Sequence, residues 1–242
     1  MQPLTIDVRQ TVEFFKDLLA IDNANILQIG CGDGRIAAGL MEAGYQVLGI
    51  DSDPSKIERA KSRGVRVEER EICDFETDEK FDVAFFSSSL HRVQSLDKAM
   101  DRVKALLGEK GRIVVEGFDA EAADEKTAEW YYELKDFALL LAGNEISKDG
   151  SSWERWGRES WKVGSAHSKS AMLRAVEGKF GNVYKGPLPY LYRLFVEDCE
   201  GSPEFAKALE HIYGLEQKAI KGSVLPPLGF RIVAKKYFSY LK

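Results

Sequence analysis

Three glycines at alternate positions, Gly30, Gly32 and Gly34, follow the apolar run Ile26-Leu27-Gln28-Ile29 and open onto a stretch of helical periodicity. Glycine lacks a Cβ, so a turn built from it lets a ligand approach the backbone itself. The helix that follows presents unpaired N–H groups and a positive dipole end, suited to a carboxylate or phosphate. Asp51 closes the next apolar run, where a carboxylate can accept hydrogen bonds from both hydroxyls of a ribose. This is the chemistry of a nucleotide or nucleoside ligand. The dinucleotide fingerprint wants its third glycine at position 35, which is Arg35, and no Gly-Lys-Ser/Thr follows to make a phosphate-binding loop.

Other chemistry-bearing residues are fewer. His91, in Ser-Ser-Ser-Leu-His-Arg-Val after an apolar run, is the candidate general base, set against a purely structural histidine. His167 and His211 are read as a loop and a surface histidine without a role. With three histidines and no carboxylate cluster beside them, no metal site is expected. Trp153, Trp156 and Trp161 fall close together in SSWERWGRESW, below Trp130, Tyr131 and Tyr132. They read either as a cap helix packing its aromatics or as a substrate pocket. Residues 118–162 hold 11 Asp/Glu against 6 Lys/Arg, which is either a solvated face or a surround for a cationic substrate.

The elements that must position these residues alternate. Strands are expected at 26–30, 46–51, 65–70, 81–87 and 112–117, with helices at 34–43, 54–63 and 95–107. Pro54 suits a first helical turn, and Gly44, Gly64 and Gly108 stand where helices stop. Short apolar strands alternating with helices predict a parallel sheet covered on both faces. Upstream, Val8, Val12, Phe15, Leu18 and Leu19 share one face of an amphipathic helix. Downstream, 119–161 is mostly helical. A helix at 168–179, a strand at 190–196, a helix at 203–218 and a strand at 230–237 complete the chain, with Pro226, Pro227 and Gly229 breaking it before the last strand.

Motif by motif, the chain resembles the class I S-adenosylmethionine-dependent methyltransferases of small-molecule type. ILQIGCGDG resembles their first motif, LGIDSDPSKIERAK their second-strand acidic segment, REICDFETDEKFDVAFFSSSLHRV the third loop and fourth strand, and GRIVVEGF the fifth strand. The resemblance implies a Rossmann-like, doubly wound α/β fold: a mostly parallel seven-stranded sheet with an antiparallel last strand, plus helical lid insertions. It implies an N-terminal helix or lid at 1–24, a cofactor-binding core at 25–118, a substrate lid at 119–165 and, at 166–242, completion of the sheet with a helical insertion near 200–220. Residue by residue, Gly30, Cys31 and Gly32 would line the methionine part of S-adenosylmethionine, Gly34 would join the cofactor-binding turn, and Asp51 would hold the ribose with Ser52 beside the adenine. Asp74 would accept from the adenine amino group, Phe75 would donate its backbone N–H to the ring, and Ser87 and Leu90 would close the site near the sulfonium. Gln28 departs from the acidic residue many members carry there.

The implied reaction is transfer of a methyl group to an O, N, S or C nucleophile of a small molecule, with S-adenosylhomocysteine as product. A nicotinamide-dependent oxidoreductase and a non-catalytic S-adenosylmethionine-binding protein are the alternatives. Over 242 residues the net charge is −5 and the pI about 5.5, which disfavours nucleic acid as partner. The scattered Cys31, Cys73 and Cys199, the lack of a signal-peptide start and the lack of a membrane-length apolar run predict a cytoplasmic protein without a membrane partner. Oligomeric state is left open.

Overall fold

The structure, a computed structural model, describes residues 4–19, 23–141, 143, 145–146, 149–159, 167–195 and 203–236. Seven strands form one sheet: β1 (Asn25–Ile29), β2 (Gln46–Asp51), β3 (Arg66–Glu69), β4 (Phe81–Ser87), β5 (Leu107–Phe118), β6 (Val183–Leu188) and β7 (Gly229–Lys235). Their order across the sheet is β3-β2-β1-β4-β5-β7-β6. The pairs β1·β2, β1·β4, β2·β3 and β4·β5 are parallel, and the last strand runs antiparallel. Parallel neighbours with crossover helices bury both faces. Accordingly Ile26, Leu27, Val83, Ala84, Phe85 and Phe86 are all buried, whichever face they occupy.

Helices α1 (Ile6–Leu18), α2 (Arg35–Glu42), α3 (Pro54–Ser62), α4 (Leu96–Leu106), α5 (Glu125–Leu141), α6 (Ser152–Glu159), α7 (Lys169–Phe180) and α8 (Pro203–Lys221) complete the architecture. Their starts are written locally. The Asp53 carboxylate accepts from the N–H groups of Ser55 and Lys56 at 2.9 and 3.4 Å ahead of Pro54, and Ser95 and Ser168 accept from Lys98 and Ala171.

Helix α1 lies on the sheet face that carries Ile26, and its direction can be read from three contacts. The Phe15 ring meets Phe85 at 5.0 Å, the Arg112 guanidinium donates to the carbonyl of Leu18, and Phe85 stands in register with Val114. Moving forward along α1 therefore moves backward along β5, so the first turn of α1 stands at the carboxyl ends of the strands. Gly39 of α2 permits the approach, since a Cβ there would come within 2.3 Å of Val8 Cγ1.

The chain clusters into two units, Met1–Gly117 with Ala166–Gly186 and Arg231–Lys242, and Phe118–Ser165 with Pro187–Phe230. The first holds nearly all of the sheet. In the second, Phe118 stacks on Tyr190 at 4.8 Å and meets Trp156 edge-on, Tyr131 packs between Trp156 and Phe195, and Arg155 binds Asp136 through two hydrogen bonds of 2.6 and 2.7 Å. Residues 187–230 cluster with the segment after β5.

One expected strand is absent. Residues Leu191–Phe195 form a 3-10 turn, and the strand is β6, which the sequence disguised with Gly186 and Pro187. An edge strand tolerates proline, and β6 closes the sheet on one side. The Glu216 carboxylate holds the 3-10 turn, accepting from the N–H groups of Tyr190, Leu191 and Tyr192 at 2.6–3.0 Å. Among the described residues no helix is long and apolar enough to cross a membrane, and no group of His, Cys, Asp and Glu could hold a metal ion.

Candidate functional site

The sheet order brings the carboxyl ends of β2, β1 and β4 side by side, and the candidate residues sit on the loops that leave them. After β1 the chain turns sharply, with Gly30, Gly32 and Gly34 all at positive φ (67°, 59° and 78°), backbone that L side chains rarely adopt. The turn is held from outside: the N–H groups of Gly30 and Cys31 both donate to Ile50 O, and Asp33 is bound by the guanidinium groups of Arg35 and Arg63. Gly30 has no room for a side chain, because a Cβ would lie 2.3 Å from Ser89 Cβ; Ser89 in turn donates its hydroxyl to Ile29 O at 2.5 Å. At Gly32 nothing lies within 4 Å of a Cβ position, so the backbone there is open to a ligand.

Asp51 closes this corner. Its Oδ2 accepts from the Gly32 N–H at 2.8 Å and its Oδ1 from the Asp53 N–H at 3.0 Å. Each oxygen has a second lone-pair site, so the carboxylate is oriented yet still able to accept two further hydrogen bonds. Gly30, Asp51 and Ser52 line a cavity of about 160 Å³ together with Ile29, Ser89 and residues the sequence had not singled out: Arg70, Glu71 and Ile72 after β3, and Arg92 and Val93 after β4. Their signal was topological, since parallel strands adjacent to β1 and β2 must end at the same rim.

Cys31 is buried under Gly49, whose missing side chain makes space for its sulfur. Burial first, and the neighbouring Asp51 charge second, push its thiol up to about 12. Asp74 is exposed at the end of the 3-10 turn Ile72–Asp74, whose Ile72 is buried, and Phe75 is buried with its N–H directed at Ile72 O at 3.4 Å. Ser87 ends β4 half-buried, and Leu90 and His91 are buried in the 3-10 turn Leu90–Arg92. His167 is not the idle loop histidine expected. Its N–H donates to His91 O at 3.2 Å and its ring Nε2 lies 2.9 Å from Val93 O, which fixes the turn carrying His91. Trp156 is buried against Phe118 and Tyr131, Trp153 is exposed, and Trp161 lies outside the described residues.

A model of the methyltransferase domain matches residues 7–149. An uncharacterized methyltransferase of Schizosaccharomyces pombe is 30% identical over 115 residues, 44% of each chain. A ubiquinone biosynthesis O-methyltransferase of Rhodopseudomonas palustris is 27% identical over 152 residues, 60% of this chain and 54% of that one. The chain thus spans about half the length of the curated relatives it matches. Among solved structures, a possible histamine N-methyltransferase of Thermotoga maritima aligns over 96% of this chain and 89% of its own at 16% identity and a TM-score of 0.56. The plantazolicin methyltransferase BpumL in complex with SAH aligns over 96% and 82% at 14% identity, also at 0.56. At such identities the likeness is one of fold.

Proposed function

This chain belongs to the methyltransferase-domain family, and from that premise we propose that it transfers a methyl group from S-adenosylmethionine to an O, N, S or C nucleophile of a small molecule, releasing S-adenosylhomocysteine. The observation that carries the reading is the corner formed by Gly30–Gly34 and Asp51 around one cavity. The residues fit an adenosyl sulfonium: a carboxylate with free lone pairs for two ribose hydroxyls, open backbone at Gly32 for the aminoacyl end, and Ser52 beside the base. Asp74, Phe75, Ser87 and Leu90 are the further residues proposed to hold it. When bound, the sulfonium supplies an already activated methyl group, so the protein need not create an electrophile.

What remains for the chain's own residues is geometry. The acceptor atom must be held in line with the bond that breaks, at about 3–3.5 Å, with water excluded. A protonated acceptor must also lose a proton, and His91, buried and fixed through His167, is the residue proposed to take it. Trp153, Trp156 and Trp161 are the proposed acceptor-binding residues. The small-molecule relatives and the acidic net charge of −5 support a metabolite over a nucleic acid.

Calorimetric titration of the full chain with S-adenosylhomocysteine tests the cofactor, with saturation at one site per chain expected and none with NADH. Methyl transfer across a panel of phenols, amines, thiols and acids then tests turnover. Saturable binding without transfer to any class would favour the non-catalytic alternative, and saturation by NADH alone would overturn the reading.

A further inference from the structure

Three buried oxygens in the first unit have no hydrogen-bond partner among the described residues: Thr5 Oγ1, Asp7 Oδ1 and Gln28 Oε1. Thr5 is the N-cap of α1, Asp7 lies in its first turn, and Gln28 is on β1. An unanswered buried acceptor is costly, and a carboxylate far more so than an amide. Asp7 is only 6% exposed and Gln28 1%. The carboxylate oxygen of Asp7 and the amide oxygen of Gln28 only accept, so what these two lack is a donor, whereas the Thr5 hydroxyl can donate as well as accept.

The geometry of α1 says where Asp7 stands. Phe15 sits over Phe85, which is in register with Gln28 on β1. Asp7 precedes Phe15 by two helical turns, about 12 Å along the axis at 1.5 Å per residue. At about 3.3 Å per strand residue, a shift of that length equals three to four strand positions, in the direction of the carboxyl ends where the Gly30–Gly32 turn lies. Asp7 also shares its helix face with Thr11, four residues on, which is fully buried and donates its hydroxyl to Asp7 O at 3.0 Å. Two cations on the same sheet face are committed elsewhere: Arg231 pairs with buried Glu116 and lies 3.5 Å from the Phe14 ring, and Arg112 donates to Leu18 O. The helix dipole favours an acidic residue in a first turn, yet a dipole does not donate a hydrogen bond to Oδ1.

We infer that Asp7 is a cofactor-binding residue, its carboxylate receiving the α-ammonium of the aminoacyl end of S-adenosylmethionine from above the glycine turn. The inference rests on the proposed cofactor. An ammonium carries three donors and a positive charge, matching a buried carboxylate, and Gln28 on the same face offers a further neutral acceptor. The adenosine end is held by residues after β2 and β3; Asp7 would act on the aminoacyl end alone.

Calorimetry on the full chain with S-adenosylhomocysteine and with 5′-methylthioadenosine, which lacks the aminoacyl group, separates the two ends. The expected result for Asp7→Asn is a roughly tenfold or greater fall in the ratio of the two affinities, with 5′-methylthioadenosine binding as it does to wild type. Misfolded material would lower the binding stoichiometry without moving this ratio. An unchanged ratio, whether both affinities hold or both fall together, overturns the role of Asp7 while leaving the cofactor reading standing. If wild type binds neither compound, that reading falls and this one with it.

Discussion

Asp51 works at the smallest scale because it is oriented before any ligand arrives. Two main-chain N–H groups, one on each oxygen, fix its carboxylate, and each oxygen keeps a lone pair for a ribose hydroxyl. Asp51→Ala should therefore weaken S-adenosylhomocysteine binding by about 1.5–3 kcal/mol, the range for hydrogen bonds to a charged group. A dissociation constant equal to wild type in calorimetry would remove Asp51 from the site. Cys31 illustrates the reverse case, a side chain beside the same corner that chemistry cannot reach. With its thiol pushed up to about 12, chiefly by burial, the nucleophilic thiolate is nearly absent at neutral pH. Brief treatment of the native protein with iodoacetamide should leave Cys31 unmodified by mass spectrometry, and rapid alkylation would contradict the burial. Both positions stand in a motif visible in the sequence. Asp7 does not: its neighbours Val8, Val12 and Phe15 announce an apolar helix face, and a lone acid beside them reads as a first-turn preference until its burial is seen.

At the level of elements, legibility followed the range of the interactions. Strands β2 and β4 and helices α3 and α4 were readable because their caps, breaks and apolar runs are local, and the glycine corner was readable for the same reason. The segment expected as a strand at 190–196 was not, because its conformation depends on a partner far along the chain. The 3-10 turn Leu191–Phe195 exists where a strand was expected because Glu216, on α8, captures three N–H groups that a sheet would otherwise use. Burial raises the Glu216 carboxyl above the ordinary glutamate range even against those three bonds. A raised value in the folded state means that protonation favours folding. The associated stability is fully present below the unfolded value of about 4.3 and is lost as pH rises through the folded one. Glu216→Gln, which cannot ionise, should thus lose less relative to wild type at about pH 8 than at about pH 5. Urea denaturation of both proteins at the two values checks this, and a wild-type advantage that grows with pH would show that the bonds outweigh the burial.

For the whole molecule, the division into two units gives the ligand an address. Every residue lining the cavity belongs to the unit that holds the sheet, and so does Asp7. Parallel order across β2, β1 and β4 concentrates the ligand contacts on loops from one rim, so binding must stabilise the sheet that positions those loops. Linkage fixes the size of the effect: a ligand at a hundred times its dissociation constant adds about 2.7 kcal/mol to a folded state it alone recognises. A unit of this size gains about 2–4 °C in Tm per kcal/mol, so saturating S-adenosylhomocysteine should raise the melting transition of the sheet unit by about 5–10 °C. If calorimetric melting resolves two transitions, only one should move; if the chain melts as one, the single transition should move. Asp51→Ala should reduce the shift at the same ligand concentration, because its dissociation constant has risen, and NADH should leave wild type unmoved. A shift that survives intact in Asp51→Ala would place the ligand away from the glycine corner, and with it the reaction.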